Sequence, residues 1–530
     1  MAGLRRLRRA SAAVAAGLAL IAAVLLAGAA DASRTAPSLA PPEIAANAAT
    51  GWPEHNFDLS NTRADLATAI DASNVATLKQ KWTFRLPYAG GYGAFTSNPI
   101  VLDGEVYFED PDSDVFALNQ QTGKLIWEHR YRSVTPSGGP NGVALGYGLL
   151  FGATEGSVFA LNPKTGQQVW IHKLTTNSRE GIDMAPQLYG GKVLISTIPG
   201  NSTSYYTAGA YGTVYALDAR GGKTLWSFST VKGGSKLWGD PARNGGGGVW
   251  YPPAVDSSGR VFLGVANPSP YPPSSADPNA ESRPGPNLYT DSLVALNGNT
   301  GKLLWYQQIT PHDIRDYDFQ DSPIITTERV DGVQTEVVIG AGKSGKVVAF
   351  RADDGQRLWT LNIGKHNRYQ YGPLPVQSGI VPAKPVTFCP GSLGGVLTPM
   401  AENAGTLYVP WIDLCLKATA DGLTGAAGPA TGGLAAVDAT TGHVVWKRLF
   451  DSLDSGAATI ANNVVFTSTF NGTIYAIATR NGSTLWSTRA PAGINSFPAI
   501  TRDMLIVGAG APSRSKNAPD EIIAYSLGGR

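Results

Sequence analysis

The sequence is poor in cysteine, histidine and charge, and each shortage excludes something. Two cysteines, Cys389 and Cys415, cannot supply a disulfide framework, and they do not have metal-ligand spacing. No C-x-x-C-H occurs, so covalent c-type haem is not expected. His55, His129, His172, His312, His366 and His443 are scattered, and neither H-E-x-x-H nor G-x-S-x-G is present, which leaves zincin and serine-hydrolase chemistry without support. Charged residues make up 15% of the chain with a formal balance of +2, so a nucleic-acid surface is not indicated. Beyond the N-terminus no apolar run is long enough to span a bilayer. Hydrophobic content of 43% excludes a disordered chain.

The basic excess sits at the start, where Arg5, Arg6, Arg8 and Arg9 precede an apolar run over residues 11–30. Small residues at Ala27, Ala30 and Ala32 offer A-x-A cleavage sites, so residues 1–32 read as a secretory signal and 33–50 as a linker. Export is predicted: secreted, periplasmic or otherwise extracytoplasmic. The alternative is an uncleaved anchor, since 20 apolar residues just span a bilayer. In an oxidising compartment a single loop-stapling disulfide is expected.

A repeat governs the rest. VFALNQQTGKLIW (115–127), VFALNPKTGQQVW (158–170), VYALDARGGKTLW (214–226), LVALNGNTGKLLW (293–305), VVAFRADDGQRLW (347–359), LAAVDATTGHVVW (434–446) and IYAIATRNGSTLW (474–486) are versions of one unit. Each reads as an alternating strand, a turn with glycine at a fixed offset, and a second strand ending in tryptophan. An eighth copy is split between the termini: EIIAYSL (521–527) supplies one strand and LKQKWTF (78–84) the other. Pairing them closes a ring and removes the exposed edge. The expectation is an all-β, eight-bladed propeller over residues 51–530, with blade closure between N- and C-terminal strands. The long intervals from Trp226 to Trp305 and from Trp359 to Trp446 must contain insertions.

The repeat resembles the tryptophan-docking unit of the pyrroloquinoline quinone (PQQ) dehydrogenases, the quinoprotein alcohol dehydrogenase family. The resemblance covers about 51–527 and includes a D-x-x-N-T-R element at Asp58 to Arg63. Similar propellers that bind no quinone share the repeat, so the insertions carry the functional argument. TPHDIRDYDF (310–319) is similar to the family's P-H-D-x-W-D segment, which implies Asp316 as catalytic base, with Arg315 where the family commonly has Trp. NPSP at 267–270 resembles its G-N-P-x-P element, implying Asn267 as a calcium ligand through its side-chain oxygen. GGGGVW (245–250) is similar to a glycine run ending in the Trp beneath the quinone, here Trp250. GAGKSGK (340–346) matches the place of a cation against the quinone oxygens, here Lys343, which would stabilise developing negative charge.

Departures from the pattern are equally visible. The adjacent Cys-Cys pair is missing from SGGPNGVALGYG (137–148), a family arginine there becomes Asn141, and the calcium-ligand element at 200–218 contains no Glu. Calcium would then rest on Asn267, Asp316, quinone oxygens and water. The resemblance of CPGSLGG (389–395) and LYVPWIDLC (407–415) to a late-propeller segment implies a Cys389–Cys415 bridge closing an insertion. The expected function is an exported quinoprotein dehydrogenase that oxidises an alcohol or sugar hydroxyl, on a small or polymeric substrate, and passes electrons to an external acceptor. The alternative is a non-catalytic propeller acting as an envelope scaffold or binding platform.

Overall fold

Apolar strand triplets that read as fully buried runs form the inner parts of eight sheets, while the strand bearing the tryptophan alternates between buried and exposed positions at the rim. The computed structural model describes residues 39–47, 51–86, 96–134, 139–175, 178–200, 206, 209–233, 238–271, 277, 279–367, 385–419, 422–510 and 519–529. The expected signal segment 1–32 lies outside the described residues. The propeller belongs to the compact unit Ala40–Arg530.

Seven blades have four antiparallel strands in chain order, two of these sheets gaining a short fifth strand, and the eighth combines both ends of the chain. The eight carry Trp82, Trp127, Trp170, Trp226, Trp305, Trp359, Trp446 and Trp486 on their outermost blade strands. The closing blade is made from both ends of the chain. Leu78–Arg85 pairs antiparallel with Glu521–Leu527, which in turn pairs with Met504–Ala509. That pairing completes the C-terminal sheet with a strand from the other end of the chain and joins the ring.

The tryptophans act across blades. Trp82, Trp127, Trp170, Trp226, Trp305, Trp359 and Trp446 lie on Gly123, Gly166, Gly222, Gly301, Gly355, Gly442 and Gly482 of the following blade, where a Cβ would come within 2.5–2.7 Å of the indole. These glycines have φ between +66° and +74°, so the hairpin turn and the docked ring both require the missing side chain. Each of these indoles also donates to a carbonyl of the next blade, as Trp305 Nε1 does to Ala352 O at 3.0 Å. At the eighth joint Trp486 instead meets Tyr525 edge-on, at 5.6 Å between centroids.

Because successive strands alternate in direction, the connections between blades and the loops joining second to third strands share one face. The axis beneath that face is filled by the segment 52–65, which explains the D-x-x-N-T-R element. Asp58 accepts from Ser60 N and Thr62 N, both at 3.0 Å, and shapes the turn. Asn61 Nδ2 donates to Pro323 O at 2.9 Å and Pro252 O at 3.3 Å. Arg63, fully buried, donates to Ala458 O, Thr459 Oγ1, Pro498 O and His55 O. One short segment thereby ties several blades to the axis, directly under the loops that carry the chemistry.

Candidate active site

The loops on that face bring two of the sequence-predicted residues, Asp316 and Lys343, into direct contact, while Asn267 and Trp250 meet other partners. Asp316 lies on the connection from the strand Leu303–Gln308 to the next blade, and Lys343 on the turn between Val333–Ala341 and Lys346–Arg351 of that blade. Lys343 Nζ donates to Asp316 Oδ1 at 2.9 Å and lies 2.7 Å from Asp318 Oδ2. Asp318 Oδ1 accepts from the backbone N of Asn267 at 2.6 Å, so one buried carboxylate joins the lysine to the Asn267 loop. Asp313 serves the backbone instead. Its carboxylate accepts from Arg315 N at 2.8 Å and Tyr317 N at 2.6 Å, fixing the turn in which Asp316 has φ +65°.

Trp250 is reached through Tyr206. The two rings stack at 6.2 Å, and Trp250 Nε1 donates to the Tyr206 hydroxyl at 3.2 Å. Burial, with the charges of Asp318, Asp316 and Asp291, pushes the Tyr206 hydroxyl well above its ordinary pKa. Trp250 also rests on Tyr251, Ala457 and Phe497. The glycines before it allow close backbone approach: Gly247 N donates to Asn267 O at 3.0 Å, and a Cβ on Gly248 would meet Ile198 and the Tyr206 hydroxyl at 2.9 Å. At the place of the missing Cys-Cys pair, a Cβ on Gly139 would come within 2.9 Å of the indole.

The electrostatics favour cations and protons. Burial raises Asp316 well above the usual carboxylate range; Lys343 opposes this, and Asp318 and Asp313 reinforce it. Burial pulls Lys343 down, but Asp316 and Asp318 outweigh it and hold the ammonium form above its ordinary pKa. Asp291, fully buried with both carboxylate oxygens unpartnered, is raised by burial and by Asp313 and Asp318, against Arg283. The side-chain oxygen of Asn267 is likewise buried without a hydrogen bond. An orphaned amide oxygen beside carboxylates fits a hard divalent cation. Among the described residues, however, no three His, Cys, Asp or Glu side chains converge as a ready ligand cage.

Asn141, at the place of the family arginine, donates from Nδ2 to Asp110 O at 3.0 Å and to Glu109 Oε1 at 3.4 Å. Glu109 is buried, and burial raises its carboxyl far above normal. Sequence reasoning assigned no role to Asp318, Asp291, Tyr206 or Glu109. Asp318 had a signal in its position two residues after Asp316; Asp291 had none, because only folding sets it opposite Ala266, whose carbonyl accepts from Asp291 N at 3.1 Å.

Cys389 and Cys415 form a disulfide, with Cα atoms 4.6 Å apart. It holds an insertion that walls the site. Val386–Phe388, Leu416–Thr419 and Gly422–Ala426 make a small separate sheet. From it the loop after Cys389 reaches back: Tyr317 Oη donates to Pro390 O at 2.7 Å, and Val396 N to Gly342 O at 3.0 Å.

Comparison with known proteins bears on the fold and on what the chain resembles. Residues 176–365 match the family described as "Glucose/ethanol/alcohol dehydrogenase, beta-propeller domain", and residues 58–209 and 430–527 match that described as "Outer membrane protein assembly factor BamB". The chain is 27% identical over 496 residues to the quinoprotein alcohol dehydrogenase PedH of Pseudomonas putida, covering 82% of this chain and 81% of the relative. It is 29% identical over 502 residues to the quinohemoprotein alcohol dehydrogenase ADH IIB of Pseudomonas putida, covering 84% and 71%. The crystal structure of the quinohemoprotein alcohol dehydrogenase of Comamonas testosteroni superposes with a TM-score of 0.78 at 24% identity, over 92% of this chain and 82% of that one, a likeness of fold. With its ring of docked tryptophans, the chain is similar over most of its length to quinoprotein and quinohemoprotein alcohol dehydrogenases and shares their propeller fold.

Proposed function

We propose that the protein is an exported dehydrogenase that oxidises an alcohol or sugar hydroxyl with PQQ and passes the electrons to an external acceptor. One observation carries this reading: Lys343 joins Asp316 to Asp318, and Asp318 holds the loop whose Asn267 side-chain oxygen is buried and unpartnered. A propeller used only as a platform has no need of a buried ammonium between two carboxylates at the mouth of its axis. Bound PQQ would supply the acceptor for two electrons and the carbinol hydrogen. Trp250, backed by Tyr251 and Phe497, offers the flat face on which a tricyclic ring rests. The Asn267 side-chain oxygen and the Asp316 carboxylate would hold calcium, in a site weaker than one containing the absent Glu.

Asp316 takes the hydroxyl proton. Its left-handed backbone conformation, held by the Asp313 turn, aims the carboxylate at Lys343, whose positive charge favours the ionised form that a base needs. Lys343 orients that carboxylate and puts a positive charge where negative charge grows on an acceptor. The extracytoplasmic placement is supported by the N-terminal signal pattern and by the Cys389–Cys415 bridge, which is stable in an oxidising compartment.

The test is to add PQQ and calcium to the purified chain and follow cofactor absorbance together with dye reduction over a panel of alcohols. Cofactor binding with turnover is expected. Asp316→Asn keeps the hydrogen-bond geometry but not the base, so turnover falls by roughly 10²–10⁴ while PQQ still binds. Neither binding nor reduction in the parent chain would leave the platform reading in its place.

A further inference from the structure

Tyr206 touches the proposed quinone floor, yet nothing in the mechanism so far uses it. It lies in the element at 200–218 that contains no Glu, and it is buried at the edge of the Trp250 indole. The two rings are close to parallel, 20° apart, and Trp250 Nε1 donates to the Tyr206 hydroxyl at 3.2 Å. A phenol hydroxyl both accepts and donates. The indole takes its accepting side, while its own hydrogen meets no acceptor among the described residues.

Direct contacts tie this hydroxyl to the Asn267 loop. A Cβ on Gly248 would meet the hydroxyl oxygen at 2.9 Å, and Gly248 O accepts from Ala266 N at 2.9 Å, one residue before Asn267. Gly246 and Gly245 pair antiparallel with Pro268 and Ser269 just after it. The Tyr206 carbonyl accepts from Tyr271 N at 3.2 Å, a second attachment to the same loop. Hydroxyl, indole and asparagine loop are therefore one packed unit, and the donor is fixed where a ring lying on Trp250 presents its rim.

PQQ is a flat tricycle with an ortho-quinone on one edge and carboxylates around the rest of its rim. Lys343 and a cation serve the quinone oxygens in the reading above, which leaves the carboxylates without a donor. The place of the family arginine offers none: Asn141 Nδ2 is committed to Asp110 O at 3.0 Å and Glu109 Oε1 at 3.4 Å. A buried hydroxyl donating to a carboxylate makes a charge-assisted hydrogen bond, stronger than a neutral one. We propose that Tyr206 binds a rim carboxylate of PQQ by donating its hydroxyl hydrogen, with the Trp250 N–H holding the hydroxyl in orientation. This rests on the reading of the protein as a PQQ-dependent dehydrogenase, and it gives the cofactor a partner from the element that lacks the carboxylate ligand.

The test is an absorbance titration of the full chain, in calcium, with PQQ and with 9,10-phenanthrenequinone, a tricyclic ortho-quinone that has no carboxylates. Melting curves check that each variant is folded. The parent binds PQQ more tightly than phenanthrenequinone. Tyr206→Phe keeps the ring and removes the donor, so PQQ binding weakens roughly tenfold while phenanthrenequinone binding is unchanged. Trp250→Phe keeps a flat face and the tyrosine hydroxyl, so part of the preference for PQQ persists; should Tyr206→Phe not fold, this variant decides alone. Unchanged PQQ affinity in Tyr206→Phe, an equal loss for both ligands, or a preference abolished in Trp250→Phe overturns the proposal and leaves the dehydrogenase reading intact. A parent chain that binds no PQQ overturns both.

Discussion

The joint between the blades of Trp305 and Trp359 sets the spacing of Asp316 and Lys343, because one residue hangs from each side of it. Gly355→Ala perturbs that joint directly. Gly355 has φ +72°, and a new Cβ would lie 2.7 Å from Cε3 of Trp305, whose indole is held by its bond to Ala352 O at 3.0 Å and cannot swing away cheaply. Gly332→Ala is the control in the same blade: φ is +82° and a Cβ there meets nothing within 4 Å. Both variants carry the backbone cost of a left-handed alanine, about 1 kcal/mol. Gly355→Ala adds overpacking of about 1–3 kcal/mol. With a melting entropy of roughly 1 kcal/mol/K for a unit of this length, the melting temperature falls by about 1 °C in the control and about 2–4 °C in Gly355→Ala. Calorimetry measures this, and PQQ affinity, read by absorbance titration, weakens only in Gly355→Ala as the Lys343 to Asp316 contact opens. Superimposable melting and equal cofactor affinity in the two variants would refute the idea that docking at this joint sets the site.

Three further outcomes are expected from named groups. Burial lifts the Glu54 carboxyl at the axis to about 8 from 4.5, with Gln187 Nε2 donating to it at 2.6 Å, so the folded chain keeps a proton that the unfolded chain releases above pH 4.5. The associated stability is fully present below that pH and is lost as pH rises through about 8, so the melting temperature declines across this window, less steeply in Glu54→Gln. Replacing Cys389 and Cys415 with serine removes a loop constraint worth ~3 kcal/mol; amide exchange should quicken in Val386–Phe388 and Leu416–Thr419 while the blade strands keep their protection. Asn267→Ala removes the orphaned amide oxygen, and calcium affinity measured by calorimetry on the unloaded chain should drop at least tenfold; an unchanged isotherm would place the cation elsewhere.

The propeller was legible because its repeat is local: strand, glycine turn and tryptophan lie within thirteen residues, and a left-handed turn under an indole leaves few alternatives to glycine. The split eighth blade was legible for the same reason, since each half keeps its part of the unit. Lys343, Asp316, Asn267 and Trp250 could be named one by one, but not the manner of their meeting, which depends on Asp318 linking two blades and on Tyr206 lying against an indole 44 residues away in the chain. Burial is the quantity that local spacing does not encode. Of the three aspartates in HDIRDYDF, only packing separates Asp313, which caps a turn, from Asp316, which meets the lysine, and Asp318, which joins the lysine to the asparagine loop. Arg315 shows the same limit from the other side. In the sequence it is a substitution for an aromatic residue, whereas folding buries it with its guanidinium 5.7 Å from the ring of Phe388. A departure from a family pattern can be interpreted only once the environment of the new side chain is known, here burial against the disulfide-closed insertion.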